Sequence, residues 1–314
     1  MFDNTRKAQC LPSRQAWDDR RMHLGLHALG IGAGADGAVI DAVASAADEC
    51  GFATLWVGEH VVMVDRSESR YPYSDDGVIA VTAEADWLDP MITLSFAAAA
   101  SNRINLATGV LLLPEHNPVV VAKQAASLDR LSGGRLTLGV GVGWSKEEFE
   151  ALGVPFAHRG ARTAEYVAAM RTLWRDDVAS FDGKFVGFDS IRVNPKPVRD
   201  RRIPVVAGGN SDPALRRVAA WADGWYGFNL DGVAAVRESI DKLERLCAES
   251  GRDRAELRLA VALVRPQVRD VAALGELGVD ELVLVEAPPD NPDAASAWVA
   301  ALADRWLGGD LSQC

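Results

Sequence analysis

Short apolar runs alternate with amphipathic helical patterns eight times along this chain, and so regular an alternation admits few folds. The apolar runs lie at 22–29, 53–57, 104–110, 135–140, 203–207, 224–228, 257–264 and 281–285. Helical spacing fills 36–50, 90–101, 117–131, 147–152, 159–174, 212–222, 232–250, 268–277 and 294–307. Stop signals agree with these limits, since Gly51 follows the first helix and Ser132-Gly133-Gly134 ends the third. The stretch 181–197 breaks the rhythm, and its turn residues among alternating apolar positions predict a hairpin inserted after the fourth unit. Eight strands interleaved with helices predict an α/β fold, a closed parallel (β/α)8 TIM barrel. An open doubly wound sheet is the rival. Gly30, Gly32 and Gly34 follow the first strand, but they lack the last glycine of G-x-G-x-x-G and a later acidic strand end, so they read as a loop.

A chain of 314 residues fits one such barrel. The pattern begins at Met22, so 22–314 read as the barrel domain and 1–21 as an extension without a pattern of its own. That extension scatters charges from Asp3 to Arg21 and has no apolar centre of the secretory kind. No apolar run approaches a membrane span, so no membrane partner is expected. Four cysteines, Cys10, Cys50, Cys247 and Cys314, stand far apart with no C-x-x-C pair. This argues against a metal site and fits a reducing cytoplasm. The net charge of −11 opposes nucleic acid, and any anionic ligand must be gripped locally by a few arginines and backbone amides.

In a barrel of this kind chemistry gathers at the carboxyl ends of the strands. The second strand runs into Gly58-Glu59-His60, an acid and an imidazole where the chain leaves the barrel; His60 either caps the strand end or faces a ligand as a base. The third carries Gly109 before Val110, which suits a bulge that closes the barrel or a close approach of backbone to a flat ring. The fourth continues into Gly139-Val140-Gly141-Val142-Gly143-Trp144; Gly141 and Gly143 leave backbone open above the mouth, or serve tight packing. The fifth ends Gly208-Gly209-Asn210-Ser211 ahead of a helix. Such a turn makes a phosphate cradle, and Ser211 or Asp212 can cap the helix at the same time.

The run from Ser101 through Thr108-Gly109-Val110 to Pro114 is extended by Pro118, Ala122-Lys123-Gln124, Leu128-Asp129, Leu131 to Leu136 and Gly139 to Trp144. Together they resemble the luciferase-like monooxygenase superfamily, and within it the branch of oxidoreductases that use the deazaflavin coenzyme F420. The pattern continues through Phe149, Gly153, Arg159, Glu165, Leu173-Trp174 and Pro204 to Trp225, so the resemblance spans about 22–306. It implies a bacterial-luciferase-like barrel with a non-proline cis peptide at Gly109–Val110, behind the middle of the ring system. It implies that Gly209, Asn210 and Arg159 hold the cofactor phosphate, and that His60 lies beside the reactive edge. Trp144 stands where sugar-phosphate dehydrogenases of the superfamily carry a glutamate. Their substrate is therefore not carried over, and an apolar or planar one is expected, with Trp144 roofing the cofactor or the substrate.

The expected activity is reversible hydride transfer between F420 and a small organic substrate, with His60 moving the accompanying proton and Glu59 tuning it. The alternatives are a reduced-flavin (FMN) monooxygenase on the same fold, and a protein that binds the deazaflavin without turnover. A homodimer is what the resemblance implies. The loop 61–87, with Tyr71-Pro72-Tyr73, is expected to form part of a substrate lid.

Overall fold

Strand β1 (His23–His27) pairs in parallel with β2 (Thr54–Val57) on one side and with the last strand, β10 (Glu281–Val285), on the other. This closes the sheet. The computed structural model describes residues 22–308, and its barrel continues through β3 (Asn105–Thr108), β4 (Leu136–Val140), β7 (Val205–Gly208), β8 (Gly224–Leu230) and β9 (Arg258–Leu263). Every barrel pairing is parallel. The expected hairpin is present as a separate antiparallel ribbon of β5 (Ala179–Asp182) and β6 (Gly187–Ile191), set between the fourth and fifth barrel strands. The extension 1–21, with Cys10, lies outside the described residues, as does Cys314.

Helix ends follow local chemistry. The Asp36 side chain accepts from the Ala38 and Val39 amides at the start of α1 (Gly37–Cys50), and Gly51 closes it at φ 87°. Asp89 caps α2 (Pro90–Ala100) through the Ile92 amide. Asn117 caps α3 (Pro118–Ser132), which stops at Gly133 with φ 73°. Then come α4 (Lys146–Ala151), α5 (Arg159–Arg175), α6 (Asp212–Trp221), α7 (Gly232–Glu249), α8 (Asp270–Glu276) and α9 (Pro292–Ala303). Among the described residues no helix is long and apolar enough to cross a membrane.

Two readings shift. The third strand, expected over 104–110, ends at Thr108, and Gly109–Val110 lies beyond it, with Leu111 bridging to Val140. The strand expected over 224–228 runs on to Leu230, past a register shift between Gly227 and Leu230.

Alternation along the strands splits the core in two. A large cluster fills the layer between barrel and helices, while Trp56, Ala107, Val206, Tyr226, Ala260, Ala262 and Val283 pack inside the barrel. There Trp56 and Tyr226 stack with ring centroids 4.5 Å apart. Below them Trp56 Nε1 donates to Glu281 at 2.9 Å and Arg258 donates to the same carboxylate at 3.1 Å. The polar floor therefore belongs to the amino ends of the strands, leaving the carboxyl ends for the site.

Candidate functional site

At the carboxyl ends of β3, β4 and β7, one side chain organises the backbone. The Gly109–Val110 peptide is cis, as the resemblance implied. Val110 points between two glycines: a Cβ on Gly141 would meet Val110 Cγ2 at 2.6 Å, and one on Gly208 would meet Val110 Cγ1 at 2.9 Å. Neither position tolerates a side chain without moving Val110, which explains two of the glycines singled out from sequence. Gly143, at φ 75°, is restricted as well, because a Cβ there would meet Phe149 at 2.5 Å and Glu115 Oε1 at 2.8 Å. Under this platform lies His27, its Nδ1 3.2 Å from the Tyr226 hydroxyl; burial pushes its pKa down to about 4, so it is a neutral imidazole at ordinary pH.

His60 stands beside the platform, held by a carboxylate the sequence reading did not name. Its Nδ1 lies 2.8 Å from Glu148 Oε2, and the two side chains are 7% and 0% exposed. The other Glu148 oxygen accepts from the Val61 and Val62 amides at 2.7 and 3.3 Å. Trp144 Nε1, a donor only, approaches His60 Nε2 at 3.4 Å. This contact assigns the tautomer: Nδ1–H faces Glu148, and the Nε2 lone pair faces Trp144 and the mouth. Trp87 and Trp144 stand edge-on to the imidazole with centroids 4.9 and 5.6 Å away.

Glu59 has other partners. Its carboxylate accepts from the Leu112 amide at 2.6 Å and bonds His116 Nε2 at 3.0 Å, so it secures the turn after the platform, and the expected Glu59–His60 pairing is replaced by Glu148–His60. Burial opposes charge on His116, but the hydrogen bond and charge of Glu59 prevail and raise its pKa. Between these two pairs sits Glu115, with neither carboxyl oxygen hydrogen-bonded. Burial, with the neighbouring charges of Glu148 and Glu59, pushes its pKa up to about 9.

The phosphate candidates divide. Arg159, in the first turn of α5, donates from Nε to the Gly143 carbonyl at 3.1 Å and lays its guanidinium 3.8 Å over Phe156. This ties it to the same rim. The Asn210 side chain is committed elsewhere, donating to the Phe228 carbonyl at 2.6 Å and accepting from the Phe228 amide at 3.2 Å. The Gly209 amide donates to the Tyr226 carbonyl at 3.3 Å. The Ser211 side chain forms no cap bond to α6. The Asn210 side chain thus shapes the turn, and with the Gly209 amide also engaged, it is Ser211 and the amides ahead of α6 that are left to face a ligand. The sequence reading missed Arg217 of α6, whose Nη1 lies 3.2 Å from where a Cβ on Gly160 would stand. Burial lowers its pKa, and the charge of Arg159 lowers it further. The double arginine Arg216-Arg217 was its only trace in the sequence.

The loop 61–87 lies across the mouth. Tyr71 packs edge-on against Trp144 and Tyr73 against Phe228, both with centroids 5.4 Å apart. Trp87 Nε1 donates to the Gly58 carbonyl at 3.2 Å, and Glu147 accepts from the Glu68 and Ser69 amides at 2.7 and 3.1 Å. The loop thus sets its tyrosine rings against Trp144 and Phe228 while being tethered at its base and to α4.

The family model described as luciferase-like monooxygenase matches residues 22–274. An uncharacterised protein of Mycobacterium tuberculosis is 38% identical over 266 residues, covering 84% of this chain and 92% of its own length. The FMNH(2)-dependent dimethylsulfone monooxygenase of Pseudomonas putida is 32% identical over 171 residues, 53% of this chain and 47% of that protein. Among solved structures, the coenzyme F420 dependent tetrahydromethanopterin reductase of Methanopyrus kandleri superposes with a TM-score of 0.70 at 16% identity, covering 91% of this chain and 98% of that one. That last likeness shows the fold.

Proposed function

Because the chain belongs to the luciferase-like monooxygenase family, an oxidoreductase family, we propose that it transfers a hydride between the deazaflavin coenzyme F420 and a small, planar or apolar organic substrate. The observation that carries this reading is convergence: the Gly109–Val110 platform, the glycines that clear space for Val110, Arg159 and the Glu148–His60 pair all meet at one rim. A flat, phosphorylated cofactor fits that donor set, with bare backbone for its ring and guanidinium for its phosphate. Bound there, it supplies the hydride chemistry at its carbon 5. The chain supplies orientation and the proton. His60 Nε2 takes a proton from the substrate or returns one, and Glu148 holds Nδ1–H and stabilises the imidazolium that forms. Glu59 contributes by holding the turn beneath the platform through Leu112 and His116. The aromatic edges of Trp87, Trp144 and Tyr71 favour an uncharged ring or hydrocarbon as substrate.

The test is a titration of the purified protein with F420 and with FMN, oxidised and reduced. F420 is expected to bind; tight binding of FMN alone overturns the choice. The His60→Ala variant is expected to lose roughly 10²–10⁴-fold in turnover with cofactor affinity little changed. Undiminished turnover removes His60 from the mechanism. A second reading, a reduced-flavin monooxygenase, is favoured by the stretch shared with the FMNH(2)-dependent enzyme of Pseudomonas putida. Binding of F420 without turnover across a broad substrate panel would instead point to a carrier of the deazaflavin.

We also infer a cytoplasmic homodimer. Ile92 and Phe96, one turn apart on the outer face of α2, are 60% and 59% exposed, and Val120 and Leu131 of α3 are exposed as well. An apolar outer face of this kind supports a protein partner, and a second copy is the simplest.

A further inference from the structure

The loop across the mouth brings one polar atom to the rim. Tyr73 Oη lies 3.7 Å from where a Cβ on Gly209 would stand, and the Tyr73 carbonyl accepts from Asn229 Nδ2 at 2.7 Å, which fixes the ring beside Phe228. Burial pushes the Tyr73 hydroxyl up, and the charge of Arg217 pulls it part of the way back. Arg217 Nη1 lies 3.2 Å from where a Cβ on Gly160 would stand, which brings it to the residue next to Arg159 at the start of α5; burial and then the charge of Arg159 lower its pKa. Among the described residues neither arginine has a carboxylate partner. Asp212, the acid nearest on α6, is paired with Lys242 at 3.1 Å. Two guanidinium groups brought together in a half-buried place repel one another unless an anion joins them. Both guanidinium groups already have fixed places, Arg159 at the Gly143 carbonyl and over Phe156, Arg217 beside Gly160.

We propose that Arg159, Arg217 and the Tyr73 hydroxyl form a three-armed clamp for a phosphate group, and that phosphate capture latches the loop 61–87 over the mouth. Two arms come from the rim and the third from the lid, so an anion between them bonds lid to barrel. The inference rests on the reading that a phosphorylated cofactor binds at this mouth. It is indifferent to the choice between deazaflavin and flavin, because both carry phosphate. It assigns Tyr73 and Arg217 roles that no local motif announces, and it adds them to Arg159 and the Gly209–Asn210 turn, where the Asn210 side chain is already engaged by Phe228 of β8.

Hydrogen–deuterium exchange on the full chain, with inorganic pyrophosphate as probe, tests the clamp without any redox cofactor. Pyrophosphate is expected to slow amide exchange across 68–77 in the wild type. In Tyr73→Phe, which keeps the ring and its packing, and in Arg217→Met, which keeps the stem, that protection should need about tenfold more pyrophosphate. Equal protection in all three proteins, or none in the wild type, overturns the proposal. F420 and FMN titrations separate it from the reading beneath it. Cofactor bound by Tyr73→Phe and Arg217→Met with wild-type affinity sinks the clamp and spares the cofactor assignment. Failure of the wild type to bind either cofactor sinks the assignment, and the pyrophosphate result then decides the clamp alone.

Discussion

Glu115 buries both carboxyl oxygens without a hydrogen bond beside Glu148 and Glu59, and keeps its proton up to about pH 9. In the unfolded chain the same carboxyl has the ordinary value of 4.5. Between these two values the folded protein binds a proton that the unfolded chain has released, so stability falls as pH rises through the interval and levels off above it. His27 acts on the other side: its folded pKa of about 4 lies below the ordinary 6.5, so its contribution is complete above 6.5 and is lost as pH falls towards 4. Above pH 6.5 only the Glu115 slope of these two remains. Glu115→Gln, neutral at every pH, should therefore flatten the decline between pH 6.5 and 9, and end more stable than the wild type at pH 9 by on the order of a few kcal/mol. Denaturant unfolding at several pH values reads this directly. Parallel curves for the two proteins would mean that Glu115 ionises with its neighbours and that the buried acid is not neutral.

At the scale of elements, the platform is a contact among β3, β4 and β7 made through a single side chain. Gly141→Ala would push its Cβ into Val110, so it is expected to destabilise the fold by roughly 1–3 kcal/mol and to weaken cofactor binding. Trimming the obstacle tests the cause: in the double variant Gly141→Ala with Val110→Ala, much of the loss should return as a coupling energy, whereas simple additivity would contradict the contact. Most elements of this scaffold were legible because their signals are local. Asp36, Asp89 and Asn117 cap the helices they precede, and Gly51 and Gly133 end two of them. The strand-end glycines and His60 were legible for the same reason. Glu148 was not, because Glu147 and Glu148 adjoin in one short helix, and only the docking of α4 decides which of them reaches His60 with the Val61 and Val62 amides and which takes the Glu68 and Ser69 amides. Arg217 and Tyr73 reach the rim from distant segments, Arg217 beside Gly160 and Tyr73 beside Gly209, and no spacing encodes that. The hold of Phe228 on the Asn210 side chain was illegible for a related reason, since it joins the ends of two strands that no local spacing relates.

The whole molecule separates what holds the barrel from what acts. Its floor carries a buried polar knot in which Glu281 accepts from Trp56 and Arg258, and β1 passes so close that a Cβ on Gly25 would lie 2.2 Å from a Glu281 oxygen. Glu281 is fully buried, and burial, against the charges of Glu281 and Asp280, brings the Arg258 pKa down to about 10. Such a knot fixes the register of closure between β1, β9 and β10 at the end of the barrel opposite His60. Glu281→Ala takes from Arg258 and Trp56 the acceptor they share, and is expected to destabilise the protein by roughly 3–5 kcal/mol. Replacing both charges, Glu281→Leu with Arg258→Met, should recover most of that loss, because an apolar pair of similar volume needs no desolvated charge. Cofactor affinity of the double variant, measured where it is fully folded, should match the wild type. A double variant that is stable yet binds cofactor many-fold more weakly would show that the floor reaches the mouth through the stacked Trp56 and Tyr226, and that scaffold and site are not separable in this barrel.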